Sequence, residues 1–236
     1  MNPPYLNMFR KRSDKKEMLD APDIPALHLE QNLRELHTIN SWLGGYRTTF
    51  SGLRKVLDPK KPSIVIDIGS GGGDTALLLH AWGKRNNFNL QIKGIDINPG
   101  CVSYSTDRST GMPGIHFICD DYRNLKYHVH EADVLHASLF CHHLTDDEIV
   151  ELLQFARNNR LPLVINDLRR HPVAYYSIKL LTKIFSRSHM VRNDAPLSVL
   201  KGFTRREWVL LMERAGITRY RIIGRPMFRH EIIVRP

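Results

Sequence analysis

The sequence predicts an α/β fold: a parallel sheet covered by helices on both faces and closed by an antiparallel hairpin. Two observations carry this. Short, nearly continuous apolar runs alternate with helical patterns from Ser63 to Asn166, the signature of strands buried on both faces. The last two strand-like runs, Ile217–Ile223 and Phe228–Val234, are separated by only four residues. That is too short for a parallel crossover, so the pair must be antiparallel. At 236 residues and 42% hydrophobic, the chain can bury one full core with an elaboration.

In chain order, residues 1–24 are polar and charged and read as a mobile arm. Residues 25–58 form a helical cap. Leu27, Leu29, Leu33, Leu36, Ile39 and Leu43 recur at near-helical spacing, and Gly44-Gly45 breaks the pattern. Two short helices with a hinge follow from this; Trp42 beside the hinge either serves a closing lid or packs the helices. Residues 59–236 form the main domain. Its strands are Ser63–Ile68, Leu90–Ile95, Gly114–Cys119, Asp133–Ser138 and Leu161–Asn166, and its helices are Asp74–Lys84, Cys101–Asp107, Asp146–Asn158 and Arg205–Ala215. A lid insertion, 168–203, follows the fifth strand, and its middle, VAYYSIKLLTKIF, can form an amphipathic helix.

No apolar run reaches the roughly 18 residues of a membrane span, and the charged N-terminus lacks the apolar stretch of a secretory signal. Three cysteines, Cys101, Cys119 and Cys141, form no CxxC pair. The expectation is reduced thiols in a cytoplasm. The net charge of +10 is concentrated: Leu161–Pro236 holds 15 Lys/Arg against 5 Asp/Glu. Such a region meets nucleic acid or an anionic ligand, or is simply a solvated basic face.

Ile64–Leu79 reads as a strand, a glycine-rich turn and a helix. The turn lets a ligand approach the backbone and face helix N–H groups. A dinucleotide fingerprint needs glycines at 69, 71 and 74, but position 74 is Asp, where a pyrophosphate should sit. What stands there instead is Asp67, Gly69, Gly71 and Gly73. A carboxylate at this strand end suits a cationic ligand better than a doubly anionic one. Asp96 ends the second strand, where an acid accepts ribose hydroxyls. Asp121 and Tyr122 end the third, where an acid can accept from adenine and an aromatic can cover it. Ser70, Ile97 and Ser138 border the same crevice.

On these motifs and the terminal hairpin, residues 60–236 resemble class I S-adenosylmethionine-dependent methyltransferases. The bacterial small-molecule enzymes related to quinone biosynthesis are the most similar subgroup. The resemblance implies a three-layer doubly wound sheet of seven strands in order 3-2-1-4-5-7-6, strand 7 antiparallel. It also implies S-adenosylmethionine as cofactor.

The segment after the fourth strand, LFCHHLTDDE, divides in two. Thr145 and Glu148 form a capping box, with Asp146 and Asp147 in the first helical turn. That accounts for the acids without a metal, and no metal site is expected. His142 falls on the histidine that serves as base in plant-type phenolic O-methyltransferases, though His143-Leu144 follow where those enzymes have Asp-Trp. It is either a general base or part of the pocket wall, with Asp167 in support. His143, Arg169, Arg170, Tyr175 and Tyr176 are candidate substrate contacts, and Phe185 is a further aromatic in the same insertion. The tetrapeptide Asn2–Tyr5, NPPY, matches an amino-methylation motif but has no strand before it and is read as coincidence.

The function expected is methyl transfer to a small hydroxylated aromatic, quinone or polyketide-like acceptor, with O-methylation favoured, in a cytoplasmic bacterial enzyme that can form a homodimer. Two alternatives stand: an RNA methyltransferase using the basic C-terminal third, and a non-catalytic cofactor-binding partner protein.

Overall fold

A computed structural model describes residues 8–21 and 23–236. The main domain is one seven-stranded sheet in the order β3-β2-β1-β4-β5-β7-β6. The strands are β1 (Ser63–Ile68), β2 (Leu90–Asp96), β3 (Ile115–Cys119), β4 (Val134–Ser138), β5 (Leu163–Leu168), β6 (Tyr220–Arg225) and β7 (Arg229–Val234). The first five pair in parallel. β7 runs antiparallel to both β5 and β6, as the short connection requires.

Strand alternation divides the core between the two faces. Ile66, Ile68, Leu135 and Ile165 pack on one side with Trp208 and Phe203, while Val65, Ile92 and Val164 pack on the other with Leu53 and Leu79. Each such buried side chain contributes roughly 1.5–3 kcal/mol. The covering helices are α1 (Ala26–Trp42), α2 (Gly45–Leu53), α3 (Asp74–Arg85), α4 (Pro99–Arg108), α5 (Asp146–Asn158), α6 (Pro172–Phe185), α7 (His189–Lys201) and α8 (Arg205–Arg214). α5 begins with the expected Thr145/Glu148 capping box.

The cap is two helices with a left-handed break at Gly44, φ 64°. α2 lies directly on the sheet at Gly52, where a Cβ would come within 2.5 Å of Val164. The insertion holds two helices where the sequence pattern pointed to one. α7 contains Pro196 and lacks a clean apolar stripe, so its periodicity is hidden.

The arm departs from expectation over its described residues. Arg12 donates to the carbonyls of Lys201, His142 and Leu144 and pairs with Asp146. Its guanidinium lies 3.7 Å above the Phe203 ring. A short 3-10 turn, Met18–Asp20, is fixed by the Asp194 carboxylate, which accepts from the N–H groups of Met18 and Leu19. These charge-assisted bonds dock residues 12–20 against the domain; the Asn2–Tyr5 motif lies outside the described residues.

Candidate active site

β1 delivers the chain into a turn at Gly69, Gly71 and Gly73, with φ of 65°, 51° and 75°, values a side chain disfavours. A Cβ on Gly69 would overlap the Phe140 ring. Gly71 faces open space, and there φ alone selects glycine. The Gly71 N–H donates to Asp96 at 2.8 Å and the Asn98 N–H to its other oxygen at 2.9 Å. Burial pushes the Asp96 carboxyl up, against the pull of these N–H groups.

Beyond the strand ends lies a cavity of about 690 Å³. Gly69, Ser70, Gly71, Asp96, Ile97, Asp121, Tyr122 and Ser138 all line it, together with Asp74 and Asp120. Asp121 is clamped by Arg123, and this pairing, ahead of its burial, holds the carboxyl low. The cap completes the wall through Leu33 and Leu36 of its apolar pattern and through His37, Asn40 and Tyr46, which the sequence pattern did not single out. His37 Nδ1 lies 3.2 Å from Asp74 and 2.9 Å from the Tyr46 hydroxyl, tying cap to loop.

Two expected cofactor contacts are not on this wall. Asp67 is 2% exposed and its Oδ1 lies 2.7 Å from His136 Nδ1. The two residues are register partners on β1 and β4, so the imidazole draws the carboxylate beneath the floor. Gly73 is likewise outside the cavity. A Cβ there would come within 2.7 Å of both Phe117 and Ser105, so this glycine serves helix packing.

A second cavity, about 260 Å³, adjoins the first through Leu19, Leu36, Asn40, Leu139 and His143. His142, 3% exposed, lines it. Asp167, at the end of β5, accepts from His142 Nδ1 at 2.7 Å and from the backbone N–H groups of His142 and Leu168 at 2.9 and 2.7 Å. Burial works to raise this carboxyl, and the attraction of His142 with those hydrogen bonds outweighs it. An ionised Asp167 can only accept, so the Nδ1 carries the proton.

Glu17 comes from the arm to this point, its Oε1 3.7 Å from His142 Nε2 and its Oε2 3.9 Å from His143 Nε2. The three side chains bring potential ligand atoms within 4.8 Å of one another. The Lys201 ammonium, 3.4 Å from Glu17, already supplies positive charge there.

The remaining expected contacts divide. His143 and Arg169 line the second cavity. Arg170 does not: it is buried against the carbonyls of Phe9 and Gly202 and pairs with Glu207. Tyr175 and Tyr176 meet Phe9 edge to face instead. Ala174, Ser177, Ile178 and Leu181 present the inner face of α6, because each helical residue turns about 100° from the last. Phe185 is exposed and meets the exposed Trp42 edge to face.

Residues 65–162, from β1 to the start of β5, match the family model of a methyltransferase domain. No curated protein matches the chain by sequence. Similar solved structures include the plantazolicin methyltransferase BpumL in complex with SAH. It has 17% identity and TM-score 0.60, covering 86% of this chain and 88% of that one. The mitomycin 7-O-methyltransferase MmcR has 17% identity and TM-score 0.56 over 86% of this chain and 56% of its own. The pyocyanin biosynthetic protein PhzM has 17% identity and TM-score 0.55 over 83% and 55%.

Residues 65–162 thus form a methyltransferase domain, set in a sheet with the strand order of class I S-adenosylmethionine-dependent methyltransferases. The cleft fits that cofactor. Asp20, Asp74, Asp96, Asp120, Asp121 and Glu148 outnumber the basic side chains on its wall, an acceptor-rich, acidic lining for hydroxyl, ammonium and sulfonium groups.

Proposed function

We propose that this enzyme methylates a hydroxyl group on a small, largely apolar acceptor held in the second cavity, with His142 as general base and Asp167 as its positioning partner. The observation that carries this is the 2.7 Å contact from Asp167 to His142 Nδ1, at a histidine on the wall of a cavity adjoining the cofactor cleft. Leu36, Ile39, Leu43, Ile178, Leu181 and Val199 supply apolar wall for an aromatic, quinone or polyketide-like body.

S-adenosylmethionine supplies an electrophilic methyl group on a sulfonium. The chain's own work is to orient the acceptor and remove its proton. His142 Nε2 takes the hydroxyl proton and Asp167 stabilises the resulting imidazolium, while the bound cofactor would give up its methyl group to the oxygen and leave as the neutral thioether. The docked arm and the two insertion helices exclude water around these groups. The 7-O-methyltransferase name among the similar structures accords with oxygen as the methylated atom.

The RNA reading is weakened by where the basic third spends its charge. Arg170 pairs with Glu207, Arg225 with Glu231, and Lys201 with Glu17 and Asp20. An open cleft beside an acceptor-sized cavity also speaks against a non-catalytic cofactor binder. Incubation with methyl-labelled S-adenosylmethionine and a cell extract tests the proposal. Label is expected in small organic molecules as an O-methyl group; label confined to RNA, or none at all, would refute it.

A further inference from the structure

Arg229, at the start of β7, lines the second cavity while only 3% exposed. Its guanidinium donates to neutral acceptors, Asn40 Oδ1 at 2.7 Å and Asn166 Oδ1 at 3.3 Å. Its Nε is buried with no hydrogen-bond partner among the described residues. Arg170, similarly buried, has the Glu207 carboxylate against it; Arg229 forms no such ion pair among the described residues. A buried cation with no carboxylate in contact is costly; burial pulls the Arg229 pKa down, and the field of Asp167 offsets this only in part. Asn40 grips the guanidinium, and Gly45 gives it room, since a Cβ there would come within 2.8 Å of it.

The carboxylates nearby are committed elsewhere. Asp167 is spent on His142 and two backbone N–H groups. On the cavity wall, Glu17 faces Lys201 and the histidines, and Asp194 holds the N–H groups of Met18 and Leu19. In sheet register Arg229 lies opposite Leu168, one residue from Asp167. The vacant charge is therefore close to the proposed base, and Arg169 adds a second cation on the same wall.

We propose that Arg229 anchors an anion subsite, and that the natural acceptor carries a carboxylate as well as the hydroxyl that is methylated. This rests on the acceptor-cavity reading above. A carboxylate in the cavity beside the guanidinium supplies the negative charge that no contacting residue provides, while the apolar wall takes the rest of the molecule. The acceptor class is thus a hydroxylated aromatic or polyketide-like acid.

Calorimetric titration of the full chain, saturated with S-adenosylhomocysteine, tests this with two probes, 2,4-dihydroxybenzoate and its neutral counterpart resorcinol. The acid should bind at least about tenfold more tightly than resorcinol, a gap that narrows with salt. Arg229→Gln should erase the gap and leave resorcinol and S-adenosylhomocysteine affinities within about twofold. Arg229→Lys should keep part of it. Equal binding of both probes to the native chain overturns the subsite, as does a gap that survives in Arg229→Gln. If that variant does not fold, the native comparison and Arg229→Lys decide. Normal cofactor binding with neither probe bound would instead overturn the acceptor-cavity reading itself.

Discussion

Asp167 holds His142 at two points: its Oδ1 lies 2.7 Å from the ring Nδ1, and its Oδ2 accepts from the His142 backbone N–H at 2.9 Å. One carboxylate thereby fixes both the loop and the imidazole tautomer. β5 and the loop after β4 are adjacent through the Ser138–Asn166 register, so the pairing follows from strand order.

Asp167→Asn keeps the shape and loses the fixed tautomer. With saturating acceptor, kcat should fall on the order of a hundredfold while KM stays within about twofold. A fall in KM alone, with kcat intact, would mean that Asp167 does not act through His142.

Asp96 and Asp67 should behave oppositely, although both end strands beside the glycine turn. Asp96→Ala removes a cleft carboxylate and an anchor for Gly71 and Asn98; S-adenosylhomocysteine affinity should drop at least about tenfold. Asp67→Asn disturbs the buried His136 contact. It should cost about 1–3 kcal/mol of stability with cofactor affinity within about threefold. Calorimetry and denaturant melts separate the two effects.

The arm contact should depend on pH. Burial opposes a charge on His143, yet its bond to Asp20 and the field of Glu17 raise its pKa, while Asp20 is held low despite its own burial. The His143 contribution is fully present below its unfolded value of about 6.5 and is lost as pH rises through the higher folded value. The Asp20 contribution is present above about 3.9 and is lost as pH falls through its depressed folded value. Amide protection at Glu17–Ala21, taken relative to the base-catalysed intrinsic rate at each pH, should therefore be higher near about pH 6 than near about pH 9. His143→Gln should remove that difference; equal protection in the native chain at both values would contradict the linkage.

What the sequence made legible was local. The glycine turn, Asp96 and the Thr145 cap each need only a few neighbouring residues, and strand order then placed His142 and Asp167 at one rim. What it hid depended on register and long-range approach. Asp67 is claimed by His136, a partner 69 residues away. Arg229 and Glu17 enter the acceptor side from opposite ends of the chain. Tyr175 and Tyr176, expected as substrate contacts, lie in the expected helix but turn to its outer side, a matter of helical phase that only the packing of α6 on Phe9 resolves.

The central claim, proton removal by His142, is tested most directly by single-turnover methyl transfer across pH in the native enzyme and in His142→Gln. With S-adenosylhomocysteine affinity unchanged, the variant should be slower by about 10²–10⁴ and should lose the rise in rate with pH that a titrating base imposes. A variant that keeps the native rate and the native pH profile would contradict the claim and leave the histidine as wall.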